Sequence, residues 1–171
     1  MLTRFIRTSF CIVLAIGLTS TAWAEDVPMP QGEVVLTVSG DVSTTNVEET
    51  LTFDRQMLAT LPVTTFETST IWTDGVHTFT GISLADFAKF IGMGNGQFLA
   101  TAINDYTVEI PFEDAVDGGP IIAYLMDGVE MSVRDKGPLW VIYPYDSDAD
   151  YRSEVVYSRS IWQLDRVEIV Q

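Results

Sequence analysis

The stretch MDGVEMSVRDKGPLWVIYPYDSDADYRSEVVYSRSIW, residues 126–162, carries most of the information in this chain. Met126-Asp127-Gly128 ends one apolar run and opens another, which reads as a hairpin turn between Ile121–Met126 and Val129–Val133. Leu139 to Tyr143 is an apolar strand held between Pro138 and Pro144, and Asp146 to Asp150, DSDAD, reads as an exposed loop. Arg134, Arg152 and Arg159 gather here with Trp140, Tyr143, Tyr145, Tyr151, Tyr157 and Trp162. Cations beside flat aromatic faces suit a planar, polar ligand; the same residues also read as core or edge-strand aromatics with solvated arginines.

Upstream, Val34–Val38 reads as a first strand and Glu48–Phe53 as a second, followed by a helical turn capped by Asp54. Leu61-Pro62 stops that turn. Val63–Trp72 and Val76–Thr80 flank Asp74-Gly75 as a hairpin. The clearest helix follows, with Ser83 as N-cap, Asp86 three residues on, and Leu84, Phe87, Ala88 and Ile91 at helical spacing. Gly92-Met93-Gly94-Asn95-Gly96 ends it as a C-cap and loop; no strand precedes these glycines, so they do not read as a phosphate-binding loop. Phe98–Ala102 and Tyr106–Ile110 form a strand pair around Asn104-Asp105, a short helical turn follows Pro111, and Ile161–Val170 alternates as a closing strand. These elements predict an α+β domain, strand-rich with a mixed sheet and short helices.

Residues 1–24 carry Arg4 and Arg7 before an apolar run that closes in Ala22-Trp23-Ala24, the pattern of a secretory signal cut after Ala24. The mature domain would then span residues 25–171, begin with a Pro-rich arm, and lose Cys11 with the signal. Disulfides, thiolate metal sites and cysteine nucleophiles go with it. The chain has 24 acidic and 9 basic residues, a net charge of −15; without the signal seven basic residues remain and the balance is −17. Such a surface repels nucleic acid and anionic lipid, and an acidic face would meet a basic partner.

His77 is the sole histidine and lies beside no nucleophile motif, so no catalytic residue is assigned. One histidine cannot build a zinc site. Asp146, Asp148 and Asp150 lack the glycine and distant glutamate of a calcium loop, and no metal site is expected. Asn104-Asp105-Tyr106 offers an amide, a carboxylate and a ring on one turn. A carboxylate there suits a guanidine-like edge such as that of a 2-amino-4-oxo pterin, and the triplet also reads as an ordinary Asx turn.

Five segments in order, Phe79–Leu84, Ala102–Tyr106, Asp127-Gly128, Lys136–Pro144 and Ser158–Trp162, resemble the sulfite-oxidase fold, the molybdopterin-binding domain of sulfite oxidases and methionine-sulfoxide reductases. The resemblance covers nearly all of the mature chain. Family enzymes hold molybdenum through a cysteine whose place falls near Thr68 or Ser69, just before the segment with Trp72, and a hydroxyl is no substitute for a thiolate. They commonly carry a phosphate-holding arginine where this chain has Trp140. Both departures imply a pterin without molybdenum or phosphate. The chain thus resembles the cysteine-lacking, exported members that bind a reduced pterin such as tetrahydromonapterin and pair with the periplasmic domain of a membrane diguanylate cyclase/phosphodiesterase or sensor kinase. The resemblance implies donors from the segment Tyr157-Ser158-Arg159-Ser160, Arg134 and Arg152 at the pocket's border, and Trp140 or Trp162 as stacking faces; with the Asn104-Asp105-Tyr106 turn the expected ligand set is Thr68, Ser69, Trp72, Asn104, Asp105, Tyr106, Arg134, Trp140, Arg152, Ser158, Arg159 and Trp162. The alternative it leaves is a molybdopterin-dependent oxidoreductase with a replaced metal ligand.

Overall fold

The computed structural model describes residues 27–171. The expected export signal, its cut after Ala24 and Cys11 lie outside the described residues. Ten strands and three short helices follow: β1 (Val34–Gly40), β2 (Leu51–Asp54), α1 (Arg55–Leu58), β3 (Val63–Ser69), β4 (Val76–Ser83), α2 (Leu84–Ile91), β5 (Gln97–Ala102), β6 (Thr107–Pro111), β7 (Ile121–Met126), β8 (Val129–Glu130), β9 (Leu139–Ile142), α3 (Glu154–Arg159) and β10 (Trp162–Val170). Single 3₁₀ turns occupy Phe112–Asp114, Val133–Asp135 and Ala149–Tyr151. The domain is α+β and strand-rich, as its periodicities predict. Among the described residues, no helix is long and apolar enough to cross a membrane.

All ten strands join one curled sheet, and its hub is β10. Leu164 stands between Leu139 of β9 and Ala102 of β5, and farther along Arg166 to Ile169 pair in parallel with Thr37 to Gly40 of β1. One edge of β10 therefore takes β9 and then β1, while the other takes β5. The change of partner needs a bend, and Gln163 supplies it at φ 55° between Trp162 and Leu164, where the register shifts. Its N–H donates to the Lys136 carbonyl and its carbonyl accepts from Ile103, both at 2.9 Å, so the bend leaves neither group unpaired. The path continues through β7 and β4 to β3, the outermost strand.

Helix α2 shows how closely sequence can specify an element. The Ser83 hydroxyl accepts from the Asp86 N–H at 2.9 Å and donates to the Asp86 carboxylate at 2.6 Å, satisfying an orphan donor of the first turn. Gly92 closes the helix at φ 78°, a conformation that glycine adopts without steric cost. Leu84, Phe87, Ala88 and Ile91 are buried, with Phe87 packing 6.3 Å from Phe53 and 6.5 Å from Phe98 between ring centres. Gly81 serves packing instead: β4 passes so close to β7 that any side chain there would collide with the Ile122 carbonyl.

Three elements differ from their sequence pattern. The β3–β4 connection is the six-residue turn 70–75, not Asp74-Gly75 alone, because Ser69 pairs with Val76. Strand β8 stops after two residues because Ser132 caps the next 3₁₀ turn, its hydroxyl donating to Asp135 at 2.6 Å. Helix α3 is new; Ser153 caps it, accepting from Val156 at 3.4 Å. The N-terminal arm is also tied down, since Gln31 and Gly32 donate at 2.8 and 2.9 Å to the Asp54 carboxylate that caps α1. These amide donors, led by that of Met57, hold Asp54 below the usual carboxylate range.

Candidate functional site

A cavity of about 370 Å³ opens where three stretches of chain meet. Trp72 comes from the β3–β4 turn; Ala102, Asn104 and Tyr106 from the end of β5 and the turn beyond; Tyr157 and Ser158 from α3; and Ser160, Ile161 and Trp162 from the entry to β10. Topology explains the convergence. Antiparallel pairing of β5 with β10 sets the 102–106 turn beside Trp162, and α3 runs directly into the same strand. The volume suits a small organic molecule, and four of the nine lining residues are aromatic.

Trp72 stands at the centre of those walls. Its ring lies edge-on to Trp162 at 5.6 Å, Trp140 at 5.8 Å, Tyr157 at 5.8 Å and Tyr145 at 6.3 Å between centres. Trp140 pairs with Trp162 across the β9–β10 ladder and is fully buried, donating from its indole N–H to the Ser160 carbonyl at 3.2 Å. Trp162, by contrast, is 39% exposed and faces the opening. Lys136 lies over this pair, its ammonium 5.6 Å from the Trp140 ring centre and 5.5 Å from that of Trp162. It makes no ion pair among the described residues.

The polar groups divide into those already engaged and those open to a guest. Tyr145 donates to the Ser160 hydroxyl, which donates onward to the Val156 carbonyl at 2.9 Å; burial pushes the Tyr145 phenol up, so it stays neutral. Asn104 accepts from the Tyr106 N–H at 3.2 Å and keeps its amide NH2 free of partners among the described residues. The indole N–H groups of Trp72 and Trp162 and the hydroxyls of Tyr106 and Tyr157 likewise have no hydrogen-bond partner there. The lining contains no ionisable carboxylate, guanidinium or ammonium. It can stack a flat ring and donate hydrogen bonds to its edge; the Lys136 ammonium lies on the Trp140–Trp162 rings, outside the lining.

Of the twelve residues in the expected ligand set, Trp72, Asn104, Tyr106, Ser158 and Trp162 line this cavity. Trp140 supports it from behind. Thr68 and Ser69 are bound to Asp146: the Thr68 hydroxyl accepts from the Asp146 N–H at 3.1 Å, and Ser69 donates from backbone and hydroxyl at 2.6 and 2.9 Å. Asp105 turns outward to Arg166 at 2.7 Å. Arg159 donates to both oxygens of Asp114, at 3.1 and 2.9 Å, and Tyr143 donates to the same carboxylate at 2.6 Å. Arg134 and Arg152 are exposed and outside the lining.

Ala102, Tyr157, Ser160, Ile161 and Lys136 were not among those twelve. Tyr157 and Ser160 belong to the segment Tyr157-Ser158-Arg159-Ser160 from which the resemblance implies donors; Ala102 and Ile161 have no chemistry that singles them out. His77 is structural: its Nδ1 meets Asp127 at 2.6 Å and its Nε2 meets the Asp74 carbonyl at 3.0 Å. Among the described residues, no three His, Cys, Asp or Glu side chains converge to hold a metal. A scan against protein-family models finds no match to the chain, and neither does a search of curated proteins.

Proposed function

We propose that the chain is a non-catalytic, exported pterin-binding protein of the sulfite-oxidase fold, which passes ligand occupancy to the periplasmic domain of a membrane diguanylate cyclase/phosphodiesterase or sensor kinase. The observation that carries this reading is the uncharged aromatic cavity around Trp72 and Trp162. A reduced pterin is small, flat along one ring and rich in edge groups that accept and donate hydrogen bonds. Trp162 offers a face, and Asn104, Tyr106 and Tyr157 offer edge partners. Arg159 is committed to Asp114, and Arg134 and Arg152 stand outside, so a ligand without phosphate fits better than a phosphorylated cofactor. The accepting role expected of Asp105 passes to neutral oxygens, the hydroxyls of Tyr106 and Tyr157, because Asp105 is held by Arg166.

The oxidoreductase alternative would put metal chemistry at Thr68 or Ser69, whose hydroxyls are neutral and already bonded to Asp146. Signalling would act through the cavity's rigidity. A cavity assembled from three distant stretches of chain would stiffen when filled, and a partner that binds the stiffened face more tightly would read the ligand. Thermal melting with and without tetrahydromonapterin tests binding: at a hundredfold excess over Kd, stabilisation is about 2.7 kcal/mol. No rise with any reduced pterin, together with turnover of a sulfoxide or sulfite, would overturn the reading.

A further inference from the structure

The turn that carries Trp72 is a small self-bonded unit. The N–H groups of Trp72 and Thr73 both donate to the Thr70 hydroxyl at 3.0 Å, and the Thr70 and Thr73 hydroxyls lie 2.8 Å apart. Its far end is pinned by His77, which holds the Asp74 carbonyl. Its near end, Ser69, is pinned from 77 residues away by Asp146. That residue directly follows Tyr145, whose ring touches both Trp72 and Tyr157. Beyond Asp146 the chain runs on to α3, which contributes Tyr157 and Ser158 to the opposite wall.

We infer that Asp146 is the positioning residue of the binding site: by clasping Thr68 and Ser69 it holds the 70–75 turn so that Trp72 remains the cavity's central wall. Three hydrogen bonds converge on this one residue, two into its carboxylate and one from its N–H, and Thr68 is fully buried beneath it. The Ser69 N–H and hydroxyl keep the carboxyl below the usual range, so it accepts as an anion and its bonds are charge-assisted. The position at which the resemblance puts a metal ligand is thus occupied by a hydroxyl clasp that orders the site. The inference rests on reading the cavity as the ligand site, but its mechanical part can be measured without ligand.

Hydrogen exchange of the ligand-free protein should show the Trp72 and Thr73 amides exchanging about tenfold faster in Asp146→Ala than in wild type, with β5 and β10 unchanged. Asp148→Ala, a neighbouring acid outside the clasp, should match wild type. Affinity for tetrahydromonapterin should fall about tenfold in Asp146→Ala. Asp146→Asn, which keeps one oxygen acceptor, should recover part of both effects. If Asp146→Ala does not fold, Ser69→Ala removes a single bond and should loosen the same two amides by a few fold. Unchanged protection of those amides, faster exchange spread equally through β10, or a loosened turn with undiminished pterin affinity would each overturn the inference. Loss of protection in a protein whose wild type binds no pterin would leave the clasp standing and remove the ligand assignment.

Discussion

Trp140, Trp72 and Trp162 touch in that order from the interior to the cavity mouth, and their burial sets what each substitution does. Trp162→Ala removes a partly exposed ring from the opening, so the protein should stay folded while affinity for a reduced pterin falls at least tenfold by titration calorimetry. Trp140→Arg installs the residue that the resembling enzymes carry there. In this chain the position is fully buried with no acid among its neighbours in hydrogen bonding, and an unpaired charge should cost about 3 kcal/mol or more and appear as loss of the cooperative melting transition. His77 and Asp127 give a pH signature. His77 is raised above its ordinary value, chiefly by its hydrogen bond to Asp127, so its contribution is complete below the unfolded pKa and is lost as pH rises through the folded one. Asp127 is lowered, chiefly by the same bond, so its contribution is lost only as pH falls through that lowered value. The pair therefore ties β4 to the β7–β8 turn between those limits. On raising pH above about 6.5, wild type should lose melting temperature relative to His77→Gln, whereas parallel curves would contradict the assignment. At this scale the aromatic and amide residues of the site were legible, because a ring near a turn has few uses. The arginines were not: that Arg159 belongs to Asp114, or Arg166 to Asp105, depends on neighbours 45 and 61 residues away.

Elements were legible where local chemistry decides them. Helix α2 carries its own cap, apolar stripe and terminating glycine, and Ser83→Ala should cost about 1 kcal/mol in denaturant unfolding with an unchanged slope. Helix α3 escaped notice because Val155, Val156 and Tyr157 favour strands in isolation, and its start depends on a single serine cap with a 3.4 Å bond. Its placement beside β6, directly before β10, is nevertheless what brings Tyr157 and Ser158 to the cavity. The β5–β6 turn was read correctly as a turn but not in its orientation. Since Asp105 faces Arg166, Asp105→Ala should leave pterin affinity within about twofold of wild type, while Asn104→Ala should weaken it by several fold. Equal losses for both substitutions would mean that Asp105 turns inward when ligand is bound.

For the molecule as a whole, alternation and turn residues indicated an α+β domain, but nothing local announces that β1 runs parallel to β10 or that one strand joins β9, β1 and β5. That long-range topology is what assembles the cavity from the turn after β3, the turn after β5, α3 and the start of β10. The strongly acidic chain also predicts how a partner is met. Association with the proposed periplasmic partner should weaken steeply with added salt, mainly through slower association, and a salt-independent rate would argue for an apolar interface instead. The central claim, that the cavity holds a pterin and no molybdenum, is tested most directly on protein purified from its native host. Mass spectrometry of the small molecule released on denaturation, paired with elemental analysis, should find one fluorescent, unphosphorylated pterin per chain and no metal; stoichiometric molybdenum with a phosphorylated pterin would contradict it.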